Sequence, residues 1–168
     1  MISAYTNGLL RSVVSKDSVG GATAVSSCSY DSLNRPASVT EPAANGEART
    51  TLTKYDLAGN ATSITVSAGV LSQTTAFEWD AMGRRTRTIL PDGGIVTNQY
   101  NAKGEITQQS GTRTYPVSYS YTTQGRLATL STYRNGLSGS ADVTAWHYDT
   151  QRGWMTVKIY ADGSSNSY

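Results

Sequence analysis

The residues best suited to chemistry in this chain are four aspartates, Asp31, Asp56, Asp80 and Asp149, one histidine, His147, and one cysteine, Cys28. Neighbouring carboxylates can divide acid and base roles between them. His147 and Asp149 stand two residues apart, so in a strand they share a face, and with the plentiful serines they have the residue types of a Ser-His-Asp hydrolase. A lone histidine and a lone cysteine far apart in sequence give no metal-ligand spacing. The four aspartates have one feature in common that redirects this reading. Each follows an aromatic residue directly and precedes a Gly, Asn or Arg by a few positions.

That context recurs along the whole chain. Six full copies begin at Tyr30, Tyr55, Trp79, Tyr100, Tyr121 and Tyr148, and a degenerate copy begins at Tyr5, giving steps of 25, 25, 24, 21, 21 and 27 residues. A fixed short period of this kind marks a repeat array, so residues 1–168 are expected to be one array of about seven units with no second domain. Within a unit such as Leu52 to Val66, a β-prone run leads into Asp56-Leu57-Ala58-Gly59 and then into an alternating second strand, which reads as a hairpin. Asp at the turn entrance accepts from backbone N–H groups, and Gly at its end takes positive φ without a Cβ clash. A type I turn followed by a left-handed residue requires those two types.

The structural turn positions are therefore Asp31, Asn34, Asp56, Gly59, Asp80, Gly83, Gly104, Gly125, Asp149 and Gly153. Asn34 supports the assignment, because asparagine best tolerates the left-handed region after glycine. Gly8 falls one place early and Gly153 one place late, so those two turns are expected to differ in length. Asp149 becomes a turn acceptor and His147 a strand residue, and no catalytic, cofactor-binding or metal residue is expected. Gly20-Gly21, Ala43 to Gly46, Gly69, Pro91 to Gly94 and Asn135 to Ser140 read as connecting turns. Val39, Ile64, Ile89, Ile106, Leu127, Leu130 and Val157 are expected to form one apolar face.

Two readings of the aromatic column, Tyr55, Trp79, Tyr100, Tyr121 and Tyr148, stay open. The rings can pack on each other across strands, or they can offer their faces to a glycan or peptide. Arg35, Arg84 and Arg126 share a place after the turn, where they can pair with aspartates of adjacent units or meet an anionic polymer such as an acidic glycan.

Composition limits the function further. Charged residues are 15% of the chain and the net charge is +2, with Arg84, Arg85 and Arg87 the one basic cluster, so the electrostatic footprint of a nucleic-acid partner is missing. One cysteine excludes an internal disulfide. There is no run of roughly 18 apolar residues to span a membrane, and the amino-terminal residues lack the pattern of a signal peptide.

Trp79-Asp80-Ala81-Met82-Gly83-Arg84 and Tyr121-Thr122-Thr123-Gln124-Gly125-Arg126-Leu127 carry a resemblance that extends to six copies and most of the chain. They resemble the YD repeats of the Rhs family, which includes bacterial polymorphic toxins, cocoon subunits of insecticidal Tc toxins and animal teneurins. The resemblance implies an all-β fold of tandem antiparallel β-hairpins in a curled, open sheet, a segment of a shell that encloses or presents a toxin or other cargo. It also implies a secreted or cell-surface protein of bacteria with an enclosed polypeptide cargo, while the open edges of such a sheet are expected to pair with the remainder of a larger shell or with a second copy. A cell-surface carbohydrate-binding module using exposed Tyr and Trp rings is the alternative. Family members end the shell with a segment close to Asp-Pro-x-Gly-Leu, where self-cleavage occurs. This chain has no Asp-Pro pair, Pro91-Asp92 being the reverse, so that activity is not expected here, and seven hairpins are few for a closed shell, which suits either a piece of a longer array or a short stand-alone one.

Overall fold

The computed structural model describes residues 2–16, 22–42 and 47–168. The fold is all-β: fifteen strands and no helix among the described residues, arranged as tandem antiparallel hairpins. The chain divides into two compact units, Met1–Glu78 and Trp79–Tyr168. The first holds β1 (Ile2–Thr6), β2 (Leu9–Lys16), β3 (Ala22–Tyr30), β4 (Pro36–Glu41), β5 (Arg49–Tyr55), β6 (Ala61–Ala68) and β7 (Leu71–Trp79), whose last residue opens the second unit. The second holds β8 (Arg85–Ile89), β9 (Ile95–Tyr100), β10 (Ile106–Gly111), β11 (Val117–Tyr121), β12 (Leu127–Tyr133), β13 (Ala141–Tyr148), β14 (Met155–Ile159) and β15 (Ser165–Ser167). Within each unit every strand pairs with its neighbour in sequence.

The meander follows from the turn chemistry, because short turns join antiparallel neighbours without crossovers. The expected turns at Gly20-Gly21 and Ala43 to Gly46 lie outside the described residues. In the repeats that begin at Tyr30, Tyr55, Tyr100, Tyr121 and Tyr148 the second strand carries an extra residue just after the turn. Tyr30 faces Pro36 while Ser29 faces Ser38, leaving Ala37 unpaired, and the same step leaves Thr62, Thr107, Ala128 and Thr156 unpaired. A bulge bends its strand and raises the local twist.

No apolar side chain is buried among the described residues, whereas the polar Asn98 is buried at 8% exposure. Cohesion therefore rests on ladders and cross-strand pairs rather than on a closed core. In the first unit one face carries the pairs Cys28↔Val39, Thr51↔Val66 and Thr53↔Ile64. The opposite face carries a row of hydroxyls, Ser12, Ser27, Thr40, Thr50, Ser67 and Ser72, each cross-strand from the next. Thr40 and Thr50 hydroxyls meet at 3.2 Å, a favourable cross-strand pair.

The expectation of one continuous apolar face needs correction in the second unit. Ile106, Leu127 and Leu130 pair with Tyr100, Tyr121 and Tyr119 and share their face, but Ile89 pairs with Ile95 and Val157 with His147 on the opposite face. The cause is parity. Val39, Ile64 and Leu130 stand nine residues after their aromatic, Ile89 stands ten, and Val157 follows a turn with one additional residue. A one-residue slip moves a side chain across the sheet.

Candidate functional site

The turn is the repeated chemical unit, and its bonds explain the residue types. In the Asp31 turn, Asp31 N–H donates to Arg35 O at 2.9 Å and Asn34 N–H to Asp31 O at 3.0 Å, with Asn34 at φ 61°. This is a type I turn closed by a left-handed residue. The carboxylate divides its two oxygens. Oδ1 accepts from Leu33 N–H at 2.9 Å and Arg35 N–H at 3.0 Å, and Oδ2 accepts from Arg35 Nε at 2.7 Å. Asp80 repeats the arrangement, with Met82 N–H, Arg84 N–H and Arg84 Nε at 2.9, 3.0 and 2.7 Å. Gly83 sits at φ 75°, where a β-branched residue would be strained.

The remaining turns vary the partners while keeping the bonds. Asn60 takes the place of the arginine and reaches Asp56 Oδ2 through Nδ2 at 3.0 Å. In the Tyr100 copy the polarity is reversed: Asn101 stands in the aspartate position and its Nδ2 donates to Glu105 Oε2 at 2.6 Å. Thr122 supplies one oxygen, which accepts from Arg126 N–H at 3.2 Å. Gly59, Gly104, Gly125 and Gly153 complete these turns at positive φ. In the Asp149 turn the closing bond runs from Asp149 N–H to Trp154 O, one residue longer than elsewhere, and Asp149 Oδ1 accepts from Arg152 and Gly153 N–H. At the other end Asn7 and Gly8, at φ 50° and 77°, form a two-residue turn between Thr6 and Leu9.

These bonds hold the carboxylates in their charged form. The backbone N–H of Arg35 lowers the Asp31 pKa most, the Asn60 side chain does so for Asp56, and the Arg84 side chain for Asp80.

The aromatic column links one repeat to the one before it. Each tyrosine hydroxyl donates to a backbone carbonyl of the preceding repeat: Tyr30 to Leu10 at 3.0 Å, Tyr55 to Pro36 at 2.9 Å, Tyr100 to Arg85 at 2.8 Å, Tyr121 to Ile106 at 2.7 Å and Tyr148 to Leu127 at 2.8 Å. The register shows why these carbonyls need a donor. The inter-repeat ladders stop at Ser12, Ser38, Arg87, Gln108 and Thr129, two residues short of each accepting carbonyl. Where the strands part at the bulge, the phenol replaces the missing ladder bond. Trp79, half-buried at the end of β7, occupies the same column without a hydroxyl.

The arginines reach the opposite way. Arg35 lies over the Tyr55 ring at 4.5 Å and donates through NH1 to Asp56 O at 3.0 Å. Arg84 lies over Tyr100 at 4.8 Å and donates to Asn101 O at 2.8 Å. Arg11 and Arg126 cover Tyr30 and Tyr148 in the same manner. The ion pairs of Arg35 and Arg84 thus form within their own turns, and what crosses to the adjacent unit is a cation over a ring and a bond to backbone, because the aspartate four residues back is the nearer carboxylate. Where Glu105 replaces arginine, Lys103 Nζ reaches the next turn instead, at Thr123 O, 2.7 Å. Burial and then the Glu105 charge push the Tyr121 phenol pKa up.

Sequence reasoning did not anticipate the hydroxyl-to-carbonyl bonds. Their trace is the preference for Tyr in the column, where Phe would supply the same ring. His147 lies one residue before Tyr148 on the exposed side of β13, on the opposite face. Among the described residues no group of three His, Cys, Asp or Glu is placed to hold a metal ion.

Comparison with known proteins places this geometry. The family model described as RHS Repeat matches residues 55–95. No curated protein matches. Among solved structures, the chain resembles the Photorhabdus luminescens Tc holotoxin pore carrying a TccC3 mutation, at 12% identity and TM-score 0.44, over 90% of this chain and 11% of that one. It also resembles TcdB2-TccC3, at 14% identity and TM-score 0.39 over 89% and 12%, and the same pair without its hypervariable C-terminal region, at 13% and 0.39 over 91% and 12%. The chain spans about a tenth of the length of those chains. The match of residues 55–95 to the RHS Repeat model bears out the resemblance to the Rhs YD-repeat family carried by the turn motifs.

Proposed function

We propose that residues 1–168 act as one non-enzymatic array, a stretch of Rhs-type shell wall that encloses or presents a polypeptide cargo in a secreted or cell-surface bacterial protein. The observation that carries this reading is the two-way linkage between repeats. Tyrosine hydroxyls reach back to the preceding unit at 2.7–3.0 Å, and arginines reach forward to the following one. Such bonds spend the array's polar side chains on holding neighbouring units in register, which is what a wall requires. The mechanism is steric: a continuous hydrogen-bonded sheet keeps proteases and solvent components from what lies behind it.

Partners follow from the sheet ends. β1 and β15 each pair on one side only among the described residues, leaving backbone groups that accept further strands of a shell or of a second copy. No helix among the described residues is long and apolar enough to cross a membrane. The test is protease protection of a polypeptide carried by the full-length protein, with and without the double change Arg84→Ala and Tyr100→Phe. Enclosure expects protection that the double change shortens. A carried polypeptide cleaved as fast in the intact protein as when free would refute it.

A further inference from the structure

The turn at Thr122 differs from the other arginine-bearing turns by one oxygen. In the Asp31 and Asp80 turns, Oδ1 holds the backbone N–H four residues on and Oδ2 holds the guanidinium. Thr122 Oγ1 reproduces the first bond at 3.2 Å. It has no second oxygen, and among the described residues no carboxylate forms an ion pair with Arg126. The Arg126 guanidinium lies over the Tyr148 ring at 5.6 Å and close against Gly153, where any side chain would collide with it. Stacking uses the face of the guanidinium and leaves donors at its edge. Arg126 is half-buried and lines a groove of about 410 Å³ together with Thr122, Gln124, Trp146, His147 and Asp149.

We propose that this groove binds a single carboxylate, which takes the place of the missing Oδ2 and accepts from the Arg126 fork. Gln124 adds a neutral donor, and the Trp146 ring beside it lies under Lys158 Nζ at 5.6 Å. Asp149, which also lines the groove, has its Oδ1 held by two backbone N–H groups of its own turn at 2.5 Å each. The carboxylate belongs to an acidic polypeptide residue or to a uronic acid of a glycan, and the site goes beyond the enclosing role.

The experiment follows the arginine Nε–H resonances by NMR during titration with an N-acetyl, C-amidated glutamate, with methyl glucuronoside and with neutral methyl glucoside. The site expects a saturable shift of the Arg126 signal with at least one carboxylate probe and none with the glucoside. The responding probe identifies the source, polypeptide or sugar. Thr122→Asp rebuilds the Asp31 arrangement internally, keeps the Arg126 signal, and is expected to weaken binding by about tenfold or more without loss of fold. A wild-type response no greater than that to methyl glucoside, or undiminished binding in Thr122→Asp, would overturn the proposal.

Discussion

Removing the phenolic hydroxyl of Tyr121 and of Tyr100 should cost different amounts, because the carbonyls they serve are supplied differently. Tyr121 donates to Ile106 O at 2.7 Å in a half-buried setting, beyond the end of the β10–β11 ladder. Tyr121→Phe leaves that carbonyl without its side-chain donor, which costs about 1 kcal/mol or somewhat more. Arg85 O accepts from Tyr100 at 2.8 Å and also from Asn98 Nδ2 at 3.2 Å, so Tyr100→Phe leaves one bond standing and should cost about half as much. For a chain of this length 1 kcal/mol corresponds to a fall in melting temperature of about 2–4 °C. The assay is urea unfolding of the wild type and both variants, read as a change in midpoint at constant slope. Adding Asn98→Ala to Tyr100→Phe should bring its loss up to that of Tyr121→Phe or beyond. Equal losses in the two single variants, or none in Tyr121→Phe, would refute the claim that the phenols cap carbonyls where the ladder ends. Alkali supplies a related check. The Tyr121 pKa is raised, so its bond is intact below the ordinary tyrosine range near pH 10 and is lost as pH rises through the higher folded value.

Gly83→Val places a β-branched residue at φ 75° and should destabilise by about 1–3 kcal/mol, whereas Asn34→Gly, at φ 61°, should be neutral or stabilising; thermal melts of both decide the turn assignment. The lowered pKa values of Asp31, Asp56 and Asp80 give stability that is full above the unfolded carboxylate value near 4 and is lost as pH falls through the lower folded values. Melting temperature followed from pH 6 to pH 2 should drop most steeply at the acid end, and a flat profile would contradict the assigned bonds. In the reversed turn, Asn101→Asp sets a carboxylate beside Glu105, and Glu105→Arg removes the acceptor of Asn101 Nδ2. Each single change should destabilise, while the double change recreates the Asp80–Arg84 pattern, so a mutant cycle should give favourable coupling of about 0.5–3 kcal/mol.

The repeat, the hairpin and the turn were legible because they are local: Asp, a left-handed Gly or Asn, and an alternating strand lie within a dozen residues of each other. The failures came where a count crossed a bulge or a longer turn. Ile89 and Val157 are apolar at nearly the same offset as Leu130, yet one residue more in the path sends them to the opposite face. Nor does sequence distance reveal the inter-repeat bonds, since Tyr55 and Pro36 meet only once the ladder has ended two residues early. The same limit applies to the arginines, which sequence grouped together. Arg35 and Arg84 are satisfied by an aspartate four residues back, and Arg126 is not, a difference visible as Thr122 but meaningful only beside the two-oxygen bonding of the other turns.

The linkage also gives the array a direction. Within the second unit the tyrosine of each repeat depends on a carbonyl of the repeat before it, and the arginine or lysine depends on the turn after it. With no apolar side chain buried among the described residues, stability in each unit is close to a sum of hairpin terms and nearest-neighbour terms. A lesion at one joint should therefore loosen the hairpins on either side and leave distant ones intact. Hydrogen exchange on Tyr121→Phe tests this: faster exchange is expected in β10 and β11, with β14 unchanged, since among the described residues no pairing or latch connects β14 directly to that joint. Uniform acceleration through the second unit would mean that the hairpins open together and that the latches do not define separable joints.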